Sequence, residues 1–196
     1  MSSGKRGPVI AVSGPPGSGK TTYARLIAKD FGLELHSAGS IFREIARKLG
    51  VSLEELNRLA AEDPSIDFEI DRMTLELSRR GNVVVEGHLV AWVLAHTADA
   101  KIYITAPLDV RVKRIAAREG RSEFEVLRET LVRENMQARR FKDYYGFDVN
   151  DLSIFDLVID TSKLSIEEAY EVIKTFLCSK LKRLGYLEHY QRACIG

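Results

Sequence analysis

The chain has 196 residues, 45% of them hydrophobic and 29% charged, and a net charge of +1. That length suits one domain, able to bury about 70% of the surface its unfolded chain exposes. The charge balance gives no overall drive toward nucleic acid or membrane, and no apolar run approaches the roughly 20 residues that span a bilayer. The N-terminal MSSGKRG lacks the apolar stretch of a signal peptide, and Cys178 and Cys194 fit no metal spacing and do not point to an oxidising compartment. These features describe a cytoplasmic domain, and its high charge content suits a thermophilic source.

Pro8–Ser13 (PVIAVS) is a short apolar run rich in β-branched residues, which predicts a buried strand. A glycine-rich turn follows, then a helix from about Lys20 to Phe31, ended by Gly32. Leu33–Ser37 predicts a second strand and Ser40–Leu49 a helix stopped by Gly50. Ser52 with Glu55 makes a capping box that opens a helix to about Glu62; after Pro64 another helix runs from about Ile66 to Arg80. Asn82–Glu86 (NVVVE) and Lys101–Thr105 (KIYIT) are the next strands, and Pro107 starts a helix. A long charged helical stretch covers about Ser122–Tyr144. Leu157–Asp160 (LVID) closes the strand set, and Ser165 with Glu168 caps a helix to about Leu184, beyond which no motif stands out. Strands alternating with helices predict an α/β fold, a five-stranded parallel sheet with helices on both faces. Three helices between strands two and three, and a basic helical stretch between strands four and five, exceed what a crossover needs. They read as two mobile covers over one site.

The run Gly14, Pro15, Pro16, Gly17, Ser18, Gly19, Lys20, Thr21 satisfies G-x-x-x-x-G-K-[ST] between a predicted strand and a predicted helix, with Thr22 next in line. Glycines let backbone N–H groups turn inward around phosphate oxygens, and the helix start adds partial positive charge. Lys20 is placed for the β- and γ-phosphates of ATP and Thr21 for Mg²⁺. No Asn-Lys-x-Asp guanine-reading motif is present, nor a long apolar strand ending in paired acids. The inserted helices favour a kinase, which must exclude water before transfer.

Acceptor candidates leave the ends of strands two and three. Ser37, Gly39 and Arg43 stand where ligands bind in open α/β sheets; Arg43 either forks onto a phosphate or pairs with Glu44 or Glu62 at the surface. Glu86 suits a magnesium ion held through water, against a solvated strand end; Gly87 and His88 follow it, and His88 either touches an acceptor phosphate or makes a structural hydrogen bond. Asp67, Asp71 and Arg72 on one inserted helix could read a pyrimidine edge, or form a cap and surface pairs. From Arg111 to Lys142 ten Arg or Lys face five acids, so the rest of the chain is net acidic. Arg111, Arg114 and Arg118 share an arc beside an apolar stripe, Arg114 and Arg118 being candidates for the ATP side; Arg133 and Arg140, seven apart, share another face. A solvated helix laced with i,i+4 pairs such as Glu129–Arg133 is the alternative; it is accepted for Arg121 and Arg128 and not for Arg133 and Arg140.

The segments GPPGSGKTT, SAGSIFREIA, EDPSIDFEIDR, NVVVEGHLVAW, APLDVRVKRIA, RRFKDYYGFD and DLVIDTSKLSIEEA, in that order across nearly the whole chain, resemble archaeal-type cytidylate kinases. The resemblance implies a P-loop NTPase three-layer fold and transfer of the ATP γ-phosphate to CMP, and to dCMP, with Mg²⁺. It implies a single nucleoside monophosphate kinase domain over 1–196, with a core of 1–37, 82–118 and 155–196, an NMP-binding insertion at 38–81 and a lid at 119–154. Ser37 to Arg43 fall on the acceptor side, Lys20, Arg133 and Arg140 on the transferring phosphate, and Thr161–Lys163 near the adenine. The implied partners are small nucleotides, with no nucleic acid and no membrane, and the implied state is a monomer. His88, Ser40 and Gln137 depart from the family pattern, where an arginine and two acidic residues are expected. If His88 grips the acceptor phosphate, binding should weaken as pH rises through its titration near neutrality. Two readings compete: a kinase of the same fold acting on AMP, UMP or a small hydroxylated metabolite, and an ATP-binding switch or regulatory subunit with no acceptor.

Overall fold

The computed structural model describes residues 6–195, so most of the N-terminal stretch MSSGKRG lies outside the described residues. Five strands, β1 (Val9–Ser13), β2 (Glu34–Ser37), β3 (Val83–Gly87), β4 (Ala100–Thr105) and β5 (Leu157–Asp160), form one parallel sheet in the order β2-β3-β1-β4-β5. β1 is buried throughout and flanked by β3 and β4. Alternation along it divides the core. Ile10 and Val12 face α1 (Lys20–Phe31) and α8 (Ile166–Arg183), whereas Val9 and Ala11 pack with Val83, Val85, Val90 and Leu94 on the other side. The result is helix, sheet and helix in three layers, as the alternating pattern implied.

Between β2 and β3 lie α2 (Ala38–Leu49), α3 (Leu53–Glu62) and α4 (Ser65–Arg80); between β4 and β5 lie α6 (Leu108–Glu119) and α7 (Glu123–Tyr145). The sheet register sets Ser37 beside Glu86 and Ser13 beside Gly87, so the functional ends of three strands share one edge. β1 is also where the strand order reverses, the usual place for a ligand in an open parallel sheet.

Several details differ from the sequence reading. α2 starts at Ala38 rather than Ser40, because Ser37 both ends β2 and caps the helix, its Oγ accepting from Ser40 N at 3.2 Å. A single turn, α5 (Val90–Val93), follows β3, and α9 (Leu187–Ile195) ends the described chain. Neither was anticipated. α9 folds back so that Cys178 and Cys194, 16 residues apart, form a disulfide. This corrects the reading of two unassigned cysteines: the tail's return onto the core, with Tyr186 and Ala193 buried, supplies the proximity that spacing did not reveal.

Candidate active site

The phosphate loop joins β1 to α1. It needs glycine where it passes close to other backbone: a Cβ at Gly14 would lie 2.1 Å from Ile104 O, and one at Gly17, with φ of 77°, would lie 2.7 Å from Arg111 O. Pro15 and Pro16 turn their carbonyls to cations, Pro15 O accepting from Lys20 Nζ at 3.2 Å and Pro16 O from Arg111 Nη1 at 2.9 Å. Ser18 Oγ is buried without a partner, and Gly19 is left-handed just before the first turn of α1, which carries Lys20, Thr21 and Thr22. Burial, with Arg133, Arg118 and Arg111 adding to it against the opposing pull of Glu86, brings the Lys20 ammonium down to about 8. The loop is a cradle with surplus positive charge, which suits polyphosphate.

A cavity of about 230 Å³ opens from the loop. Lys20 and Thr21 line one wall; Gly39, Arg43, Glu86, Gly87 and His88 line another. Ser37 donates to Glu86, whose carboxylate is buried. Gly87 must be small, since a Cβ there would lie 2.9 Å from that of Ala38. Among the described residues Arg43 Nη2 donates to Ser40 Oγ at 3.0 Å, and the surface pairs weighed from the sequence do not form: Glu44 pairs with Lys48, and Glu62 with Arg58. Arg43 is a free cation at the cavity.

α7 closes the far side. Arg133 lies in the cavity wall with Nε buried and unpartnered, its guanidinium destabilised first by burial. Glu134 beside it pairs with buried Arg111 at 2.5 Å, and Arg111 also donates to Ala106 O at 3.0 Å. Arg140 is not free. Its Nε lies 2.5 Å from Asp67 Oδ2, off the N–H line, Nη2 donates to Asp67 Oδ1 at 3.3 Å, and Nη1 donates to Asn57 O at 3.3 Å. Tyr145 donates to Asp71, and burial lifts that carboxyl to about 6. Asp67 and Asp71 therefore share the cavity, but Arg72 does not join them; it faces solvent between Glu69 and Glu76. Glu129 pairs with Arg121 and not with Arg133, so the alternative weighed and set aside for Arg133, a solvated i,i+4 pair, does not form. The same contact brings Arg121 to the cavity mouth rather than leaving it simply solvated.

Thr21 and Glu86 line the same cavity and offer a hydroxyl and a carboxylate. Hard oxygen donors with room for water and phosphate fit Mg²⁺, which rarely takes an all-protein cage; no cluster of three metal-ligating side chains exists among the described residues.

The family model of the cytidylate kinase-like family matches residues 9–163. The chain belongs to that family. It is 56% identical over 174 residues to the cytidylate kinase of Staphylothermus marinus, covering 89% of this chain and 98% of that protein. It is 53% identical to that of Aeropyrum pernix over 162 residues, 83% of this chain and 94% of the other. Among solved structures, a gluconokinase from Sinorhizobium meliloti covers 95% of this chain and 99% of its own at TM-score 0.57 and 16% identity. A shikimate kinase from Bacteroides thetaiotaomicron covers 92% and 97% at TM-score 0.53 and 15% identity. These two share the fold.

Within this kinase-like family, two of the three departures meet in space. His88 Nδ1 lies 3.0 Å from Gln137 Oε1, joining the end of β3 to α7. Burial, with Lys20, Arg133 and Arg111 nearby, pushes His88 down to about 4. It is neutral at pH 7, so the expected titration near neutrality does not occur in the free protein. Sequence reasoning placed Arg111 beside the apolar stripe without giving it a role, and missed Glu134 and Asn57. The signal for Arg111 was present, an arginine amid the apolar stripe of α6, but its partners lie on other elements.

Proposed function

We propose that this chain is a cytidylate kinase, transferring the γ-phosphate of ATP to CMP, and also to dCMP, which carries the same base edge. What carries the reading is one cavity in which the phosphate loop, the unpartnered Arg133 and the buried Asp67–Arg140 pair converge. The chain's cover of nearly the whole length of cytidylate kinases, at up to 56% identity in those compared, supports it.

In this reading Gly14 to Thr22 hold the ATP phosphates and Lys20 bridges the β- and γ-groups, with Arg118 at the outer edge. Thr21 and Glu86 are the residues that would hold Mg²⁺, which when bound neutralises charge on the β- and γ-oxygens. Arg43 grips the acceptor phosphate from α2, with Ser37, Gly39 and Gly87 shaping its seat. An oxygen of the CMP phosphate forms a bond to the γ-phosphorus while the bond to the β–γ bridging oxygen breaks, and ADP leaves with that electron pair. Arg133 stabilises charge on the moving group, a role worth about 10³–10⁵ in rate where a single arginine supplies it.

Arg140 takes a different part from the one its spacing implied. Cytosine presents acceptors at O2 and N3 and a donor at N4; an arginine beside a carboxylate presents the complement. Asp67 and Arg140 thus suit cytosine, and uracil, with N3–H and O4, opposes that pattern. The insertion at 38–81 and the lid at 119–154 act on a core formed by the rest. The protein works as a cytoplasmic monomer on small nucleotides, without nucleic acid. No helix among the described residues is long and apolar enough to cross a membrane. A disulfide in the cytoplasm is an exception found in hyperthermophiles, which agrees with the charge-rich composition.

The test is ADP formation from Mg-ATP with CMP, dCMP, UMP, AMP, GMP and shikimate offered separately, beside a no-acceptor control. Turnover with CMP and dCMP well above UMP is expected. Stronger turnover with another acceptor would overturn the base assignment, and equal slow hydrolysis in every tube would overturn the kinase.

A further inference from the structure

The phosphate loop opens on a second space. It measures about 360 Å³, shares Gly17, Lys20 and Thr21 with the first, and extends past Tyr23 and Arg118 to Leu164 and Ile166. Those two aliphatic side chains are not core: Leu164 is 38% and Ile166 49% exposed. They offer apolar surface to the face of a flat ring where the base of the donor nucleotide must lie.

The polar groups around them are unsuited to reading the edge of that ring. Arg114 is engaged, Nη1 donating to Thr161 Oγ1 at 3.0 Å and Nη2 to Thr161 O at 2.8 Å. Between β5 and α8 two backbone N–H groups are similarly occupied: Ser162 N donates to Asp160 Oδ1 and Ser165 N to Glu168 Oε2, each at 2.8 Å. Arg118 is largely exposed, bonds Glu119 at 2.5 Å, and carries only donors. Those donors suit the N7 and O6 of guanine at least as well as any acceptor on adenine. The Tyr23 hydroxyl rotates to donate or accept and so distinguishes nothing. Among the described residues lining this space, none carries a side-chain carboxylate or amide to accept from the adenine amino group. The contrast with the acceptor cavity, where Asp67 and Arg140 form a fixed pair, is chemical. A site built to hydrogen-bond its ligand rejects an analogue lacking that group by about 10⁴–10⁵, whereas an apolar one separates close analogues by only about 10².

We propose that the donor base is held on Leu164 and Ile166 by stacking and apolar contact without being read, so that GTP serves as phosphoryl donor about as well as ATP. The inference rests on the kinase reading for its chemistry but not for its binding. Two measurements separate the two. Mg-ATP and Mg-GTP are each competed against N-methylanthraniloyl-ATP on the full chain, and each is then supplied as donor to CMP. Dissociation constants, and kcat/KM values for CMP phosphorylation, within about tenfold of one another are the expected result. A preference for ATP above tenfold in binding overturns the proposal. Equal binding with no transfer to CMP from either donor overturns the acceptor assignment and the donor role of GTP with it, and leaves only the unread base seat standing. Leu164→Asp, at a surface side chain, should weaken both triphosphates alike by tenfold or more and leave the KM for CMP unchanged; weakening of ATP alone contradicts the proposal.

Discussion

Arg133 and Asp71 show how burial marks this site at the scale of single residues. A guanidinium whose Nε is buried and unpartnered costs stability unless an anion arrives to meet it. Arg133→Ala should therefore lower kcat by roughly 10³ while changing the KM for CMP little, checked by steady-state kinetics. Asp71 supplies a pH test. Its folded value of about 6 stands above the ordinary carboxyl value of 3.8, so between those values the folded state holds more protons than the unfolded state. Stability from this group is then present at low pH and is lost as pH rises through about 6. Asp71→Asn, which can still accept from Tyr145, should gain on the order of 1–3 kcal/mol at pH 7 and nothing below pH 4, read from urea melts at both. The phosphate loop was legible in the sequence because its residues are consecutive and their geometry is local. The Asp67–Arg140 pair was not, because it spans 73 positions and depends on how α4 meets α7.

At the scale of elements, α7 is braced at two levels. Glu134 ties it through Arg111 to the phosphate loop at Pro16. Further along, Arg140, Tyr144 and Tyr145 tie it to α3 and α4, with the Tyr144 hydroxyl donating to Ala61 O at 2.8 Å. Breaking a buried pair by removing one partner typically costs about 3–5 kcal/mol, because the other charge is left behind. Glu134→Ala should lose stability on that scale, and Arg111→Met with Glu134→Leu should recover most of it while kcat stays depressed, since Arg133 loses the strut beside it. At the other end of the molecule, Cys178→Ser should lose about 3 kcal/mol, the loop-closure scale for a bridge of this span, with kcat unchanged. A thermal melt with a parallel assay checks both. α8, with its full capping box, and α3, capped by Ser52 alone because Glu55 turns to Arg58, were readable from their first turns. α9 was not, since it lacks a cap signal, contains a non-helical residue at Tyr190, and is held by tertiary contacts such as Tyr190 to Asn82.

The whole molecule sets two inserted units over the edge where three strands end. The alternation of apolar strands and amphipathic helices made this architecture visible, because a parallel sheet leaves that pattern along the chain. What pattern alone left open was whether the two insertions act separately. The side chains of Arg140, Tyr144 and Tyr145 join α7 to the α3–α4 pair, and the loop, Arg43 and Arg133 line a single cavity. In the kinase reading, nucleotides filling that cavity would displace water, and with it the wasteful route for the γ-phosphate. The most direct measurement follows the phosphate itself. The protein in excess is mixed with ATP labelled at the γ-position, with and without CMP, and the label is traced over one turnover. With CMP the label should pass into the β-position of CDP, with little appearing as inorganic phosphate. Label accumulating as inorganic phosphate at the same rate with and without CMP would contradict the kinase.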